Sequence, residues 1–222
     1  MKSLEFKNYK VEIPGVESSI CIEGSVPGRQ VLCVHGVSGI GKSSLAYSLC
    51  GLRPKTETGS FSVSGKGLSG LEPKNRNVGV VFQGAQLFSH LSVVDNLLMA
   101  FERKASLKML SKELKIQKIH ASLEGFGLEA LASKAASSLS GGEQQRVAFS
   151  RAVLSEPDFF VIDEGFSALD KTNAAAVANV LNTSMKDLGA PAIFFSHQKM
   201  PENVFDSVKT IEWKRQAKCL EF

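Results

Sequence analysis

The stretch Gly36-Val37-Ser38-Gly39-Ile40-Gly41-Lys42-Ser43 restricts this chain more than any other. Its form, G-x-x-x-x-G-K-S, sets glycines where the backbone must curl tightly enough to turn successive N–H groups inward, which makes a nest for phosphate oxygens. Gly36, Gly39 and Gly41 provide that freedom. The run Gln30-Val31-Leu32-Cys33-Val34-His35 predicts a buried strand before the loop, and Ser43 to Leu49 predicts a helix after it. A helix N-terminus adds partial positive charge at bound phosphates, Lys42 adds a full one, and the Ser43 hydroxyl is placed to ligate magnesium.

Downstream, Phe159-Phe160-Val161-Ile162 runs straight into Asp163-Glu164. Four apolar residues predict a strand buried on both faces, so the two carboxylates fall at its C-terminal end, where ligand chemistry gathers in open α/β sheets. Asp163 suits a magnesium ion. Glu164 suits a water molecule that must be oriented or relieved of a proton.

A third stretch, Leu139-Ser140-Gly141-Gly142-Glu143-Gln144-Gln145-Arg146, places a serine and two glycine N–H groups at the start of a helix predicted to begin near Glu143, a second anion site. This stretch matches the signature motif of ATP-binding cassette (ABC) proteins, and the chain resembles the ATP-binding subunit of an ABC transporter along nearly its whole length. The resemblance implies an α/β fold of P-loop NTPase, ABC cassette type: a mixed β-sheet core with flanking helices and an inserted α-helical subdomain. Residues 1–83 and 141–222 would form the ATP-binding core and 84–140 the helical subdomain.

Carried onto this sequence, the resemblance assigns nucleotide contacts to Gly36, Ser38, Gly39, Gly41, Lys42, Ser43, Ser44, Gln83, Ser140, Gly141 and Gly142. Mg2+ would be held by Ser43, Gln83 and Asp163, and catalysis assigned to Glu164 and His197. Gln83 is similar to the Q-loop glutamine, Ser167-Ala168-Leu169-Asp170 to the D-loop at the dimer interface, and His197 to the switch histidine after the strand Ala192 to Phe195. In the family the signature of one subunit meets the γ-phosphate of ATP held by the other. The implied partners are a second copy or a homologous ATP-binding subunit, an integral membrane permease and a solute-binding protein, with no direct nucleic acid contact. The implied location is cytoplasmic, peripheral on the inner face of the membrane.

Gln86-Leu87-Phe88-Ser89-His90-Leu91-Ser92-Val93-Val94-Asp95-Asn96-Leu97 is similar to a stretch found in importers of small charged solutes such as iron, polyamines, sulfate, molybdate or thiamine. Leu87, Phe88 and Leu91 would line a groove for a short helix of the permease, with Phe88 as anchor. Two other readings stand beside the importer: an exporter or lipoprotein-release ATPase, and a soluble ABC ATPase not engaged in transport. Many importer ATPases carry a C-terminal regulatory barrel, and the sequence to Phe222 leaves that layer of regulation out of the expectation.

Two departures from the family pattern matter. Gly165 follows the catalytic glutamate where proline is usual, which predicts a less rigid turn with chemistry retained. The aromatic residue that usually stacks on adenine is replaced by Lys10, Val11, Glu12 and Ile13, with Tyr9 out of register, so aliphatic contact from Val11 or Ile13 is the expected substitute. Base discrimination should then be weak, with GTP supporting turnover within about tenfold of ATP, roughly 1.4 kcal/mol. Strong ATP preference in a competition assay would contradict this.

No apolar run nears the roughly 18 residues of a membrane span, and Met1 to Phe6 shows no signal-peptide pattern. Cys21, Cys33, Cys50 and Cys219 lack metal-ligand spacing, Cys33 and Cys50 fall in apolar contexts typical of buried free thiols, and no disulfide and no zinc site are expected. Lys104 to Lys118 is the most basic stretch and reads as helical, with a solvated amphipathic face rather than a nucleic-acid contact.

Overall fold

The computed structural model describes residues 2–12, 19–53, 57–197, 205–214 and 219–222. Ile13 lies outside them. The strands sort into two sheets because their burial patterns differ. Strands β3 (Val31–Gly36), β6 (Val78–Val81), β7 (Phe159–Asp163), β8 (Ala192–Ser196) and β9 (Val208–Trp213) build an all-parallel sheet in the order β6-β7-β8-β3-β9. All five residues of β7 are buried, as a central strand covered on both faces requires. β1 (Ser3–Glu12), β2 (Ser19–Pro27), β4 (Glu57–Val63), β5 (Lys66–Gly67) and β10 (Leu220–Glu221) form a second sheet, β10-β2-β1-β4-β5, antiparallel except for the parallel pair β10-β2.

Helix α1 (Lys42–Leu49) packs between the sheets, with Leu45, Ala46 and Leu49 in the same apolar cluster as Leu4, Phe6, Tyr9 and Phe61 of the antiparallel sheet and Phe159 and Val161 of β7. The other face of the parallel sheet is covered by α5 (Gly141–Leu154) and α6 (Lys171–Leu188), whose Val147, Phe149, Val177 and Leu181 are fully buried with Phe160 and Phe194. Between β6 and α5 the regular structure is helical: α2 (Val93–Leu98), α3 (Ala105–Lys108), α4 (Lys112–Gly125) and short 3-10 turns. No described helix is long and apolar enough to cross a membrane.

The helical stretch expected over Lys104 to Lys118 is divided between two helices, α3 and α4. The chain leaves helical geometry at Met109–Ser111, where the Ser111 side chain accepts the Leu114 N–H at 3.3 Å and so starts a new helix. The cysteines depart from expectation. Cys33 and Cys50 are buried and outside any disulfide, but Cys21 and Cys219 are joined as a disulfide. They are 198 residues apart in sequence, and only the pairing of β10 beside β2, Leu220 opposite Ile22, brings their Cα atoms to 4.4 Å.

One buried cation holds α1 against the second sheet. Arg76, 1 % exposed, donates to the Ser48 and Leu49 carbonyls at the end of α1 at 2.6 and 3.1 Å, and to Leu71 O at 2.8 Å. Its guanidinium also pairs with Glu57 at 3.1 Å. These carbonyls are among those a helix leaves unpaired at its C-terminus, where the dipole favours positive charge. Gly51 leaves room for the guanidinium, since a Cβ there would lie 2.9 Å from Arg76 Nε.

Candidate active site

Strand order decides what meets at the C-terminal edge of the parallel sheet. β6, β7, β8 and β3 are consecutive neighbours, so the segments leaving them carry Gln83, Asp163 with Glu164, His197, and the loop Gly36–Lys42 to one rim. Residues more than a hundred positions apart are thereby brought together. The Lys42 Nζ donates to Gly36 O at 2.7 Å and Val37 O at 3.0 Å, and lies 3.4 Å from His197 Nδ1. His197 Nε2 in turn pairs with Glu164. An ammonium can only donate, so Nδ1 accepts from Lys42 and Nε2 carries the proton directed at the Glu164 carboxylate. Ser43 is exposed and Ser44 half-buried on the first turn of α1, and Ser38 and Gly39 lie exposed on the loop itself.

Burial pushes the Lys42 ammonium below its usual range, opposed by the charges of Glu164 and Asp163. Burial likewise raises the Asp163 carboxyl, opposed by a hydrogen bond from Ser43. Asp163 is 3 % exposed, and its Oδ1 has no hydrogen-bond partner. A buried carboxylate oxygen left unpaired beside a serine hydroxyl fits a hard cation that accepts oxygen ligands. Gln83 is exposed and extends the loop after β6, whose Phe82 carbonyl is held by Gln145 Nε2 at 3.2 Å.

Glu164 stands at φ 53°, in the left-handed region rarely used by a residue with a side chain. The surroundings over-determine that conformation. Its N–H donates to Phe195 O at 2.9 Å, and its carbonyl accepts from the Ser167 N–H at 3.1 Å and the Ser167 hydroxyl at 2.8 Å. Strain retained at a carboxylate on the rim of a sheet points to a functional position.

Gly165 has a reason that its sequence context did not suggest. A Cβ there would lie 2.7 Å from Ile162 Cγ2, 3.0 Å from Phe149 Cζ and 3.2 Å from Val81 Cγ1. Close packing of α5 on β6 and β7 calls for glycine.

Ser140 caps α5 reciprocally with Glu143. The Glu143 carboxylate accepts from Ser140 N and Oγ at 2.7 and 2.8 Å, and Ser140 Oγ accepts the Glu143 N–H at 3.4 Å. The helix begins at Gly141, two residues before the expected start. Gly142 lies against the Ala168 carbonyl, 3.1 Å from where its Cβ would be, which joins signature to D-loop. Ser140 makes its side-chain bonds within its own cap and none to the phosphate loop.

On the antiparallel sheet, Tyr9 is fully buried and its hydroxyl bonds Ser48 Oγ at 2.9 Å, so it is a core residue; burial raises its phenol above the ordinary range. Val11 is also fully buried, which withdraws it as an aliphatic contact for the base. Lys10 and Glu12 face outward.

A groove of about 460 Å³ opens beside the Q-loop, lined among others by Tyr47, Leu52, Phe88 and Met99, four of the seven large apolar side chains exposed among the described residues. Phe88 is 47 % exposed there. Leu87 packs into the core instead, and Leu91 is half-buried outside the lining. Sequence reasoning missed what shapes this groove. Arg151 donates to Gln86 O and Ala85 O at 2.9 and 3.1 Å, and the fully buried Asn96 brackets Phe88 by accepting its N–H at 2.8 Å and donating to its carbonyl at 3.1 Å. Polar residues on otherwise buried helix faces were the available signal.

Residues 22–167 match the protein-family model described as ABC transporter. The molybdenum import ATP-binding protein ModC of Granulibacter bethesdensis is 36% identical over 185 residues, covering 83% of this chain and 48% of ModC. The spermidine/putrescine import ATP-binding protein PotA of Bacteroides fragilis is 35% identical over 175 residues, covering 79% of this chain and 37% of PotA. The chain spans about half the length of the curated relatives it matches. The dimeric post-hydrolysis state of the ATP-binding cassette MJ0796, bound to ADP and Pi, aligns with a TM-score of 0.80 at 22% identity, covering 99% of this chain and 96% of that one. That likeness shows the cassette fold, and with the family model matched across residues 22–167 the chain belongs to the ABC transporter family.

Proposed function

We propose that this chain is an ATPase subunit that closes as a dimer around two ATP molecules and drives solute import through a separate membrane permease supplied by a solute-binding protein. The observation that carries the reading is the convergence of Lys42, Asp163, Glu164 and His197 on one rim through three adjacent parallel strands, β7, β8 and β3. The phosphate loop would cradle the ATP phosphates through its N–H groups and Lys42. Ser43, Gln83 and Asp163 would hold Mg2+, which supplies charge neutralisation on the phosphates when bound. Glu164 orients the attacking water and takes its proton, while His197 Nε2 fixes the carboxylate.

Ser140 bonds the Glu143 carboxylate of its own cap and no group of its own phosphate loop, which supports the use of Ser140, Gly141 and Gly142 on ATP held by a partner subunit. Residues 84–140 would act as a helical subdomain whose Phe88 groove seats a short segment of the permease. Import, rather than export, is supported by the names of the relatives, which are import ATP-binding proteins for molybdenum and for spermidine/putrescine. The test is purification of Glu164→Gln from gently solubilised membranes with ATP present. Recovery of a multi-helix permease with a solute-binding protein is expected, and recovery of ribosomes, or of a few-helix exporter subunit alone, overturns the import reading.

A further inference from the structure

The chain's net charge of +4 is not spread over its surface. Residues 103–118 hold Arg103, Lys104, Lys108, Lys112, Lys115 and Lys118 against one acid, Glu113, so the remaining 20 basic residues are outnumbered by 21 acidic ones. We infer that this segment, from α3 into the first turns of α4, is a second membrane contact that binds the anionic headgroups of the bilayer directly. The inference rests on the reading of the Phe88 groove as the seat of a membrane partner, which puts this segment beside the bilayer.

Three observations support it. The segment adjoins the groove, since Met99 and Arg103 line it and α3 packs against the turn Met99–Glu102. At the junction of α3 and α4, Met109 is 85 % exposed, the most exposed large apolar side chain described, and Leu114 is 39 % exposed. Lysines surround Met109: Lys108 precedes it, Lys112 follows, and Lys115 Nζ donates to Lys108 O at 3.0 Å, folding the start of α4 onto the end of α3.

The acids on neighbouring elements leave this charge in place. Glu156 pairs with Lys118 at 3.3 Å and Lys104 at 3.8 Å, and Glu102 pairs with Lys108 at 3.3 Å across an exposed gap that water and salt screen. Lys112 and Lys115 pair with no carboxylate among the described residues. An apolar side chain standing out among lysines suits an interface where the ammonium groups meet phosphates and the thioether enters the headgroup layer. Nucleic acid would use the lysines and leave Met109 without a role.

The test is co-sedimentation of the purified chain with phosphatidylglycerol/phosphatidylcholine vesicles and with phosphatidylcholine vesicles alone. Binding to the mixed vesicles only is expected, weakening as ionic strength rises. A lysine near an anionic surface contributes about fivefold in partitioning, so Lys108→Gln/Lys112→Gln/Lys115→Gln should lower it about a hundredfold. Met109→Ala should lower it by about tenfold. The same neutralisation at Lys7, Lys66 and Lys209, exposed lysines elsewhere on the chain, should leave most binding intact. Equal binding to both vesicles, equal loss in the control triple, or displacement from vesicles by a tighter-binding oligonucleotide would overturn the inference. None of these readouts involves the permease, so they stand apart from the co-purification above.

Discussion

Glu164→Gln is expected to lower ATP turnover by about 10²- to 10⁴-fold, the usual contribution of a positioned acid or base. Glutamine keeps the shape of the side chain and removes its ability to accept a proton. The position argues for the size of the effect: Glu164 leaves the end of β7 at φ 53°, is pinned by Phe195 and Ser167, and presents its carboxylate to His197. Nucleotide affinity should stay near its original value because no phosphate-loop donor is touched, so kcat falls and binding does not. Steady-state hydrolysis and nucleotide titration on the same preparation check both halves. Unchanged turnover would mean that another group handles the water.

Arg76→Met is expected to destabilise the fold by about 3–5 kcal/mol, the cost of leaving one member of a buried ion pair unpaired. The side chains of Arg76 and Glu57 are 1% and 6% exposed, and the guanidinium also holds Ser48 O, Leu49 O and Leu71 O. Methionine would fill part of the space and satisfy none of these groups. For a domain of this size the loss corresponds to roughly 6–20 °C in Tm. Thermal unfolding followed by circular dichroism would show it, and a shift below about 2 °C would mean that water reaches the pair.

These two residues mark what the sequence discloses and what it hides. Glu164 was legible because its strand announces itself: Phe159 to Ile162 is continuously apolar, and β7 is covered on both faces. The glycines, Lys42 and Ser43 of the phosphate loop are likewise read locally, since their spacing is the chemistry. Arg76 was not legible. It follows a short turn and looks like any surface arginine until α1 and β4 close around it. The same holds for Cys21 and Cys219, paired through a two-residue strand that no periodicity marks.

Val11 fell between these cases. Alternation along β1 identifies its buried face, but the expectation for the base weighed alignment over that alternation. Ser111 is of a residue type favoured at helix N-caps, and that identity is what marks the start of α4 in the sequence. Gly165 stands out in the sequence as a departure from the family pattern, and the packing of Ile162, Phe149 and Val81 around it comes only from the fold.

The central claim is that the phosphate loop of one chain works with the signature of another. Lys42→Ala disables the first, and Gly141→Asp disables the second by setting a carboxylate where an anion should bind. The Gly141 position has nothing within 4 Å of an added Cβ, so aspartate fits without disturbing α5. Each variant alone should be nearly inactive. Mixed in equal amounts and allowed to exchange, half of the dimers pair the two variants, and each such dimer carries one intact composite site, so activity should return to about a quarter of the unmodified protein's. A mixture no more active than its two components would contradict the account, because it would place the whole site within a single chain.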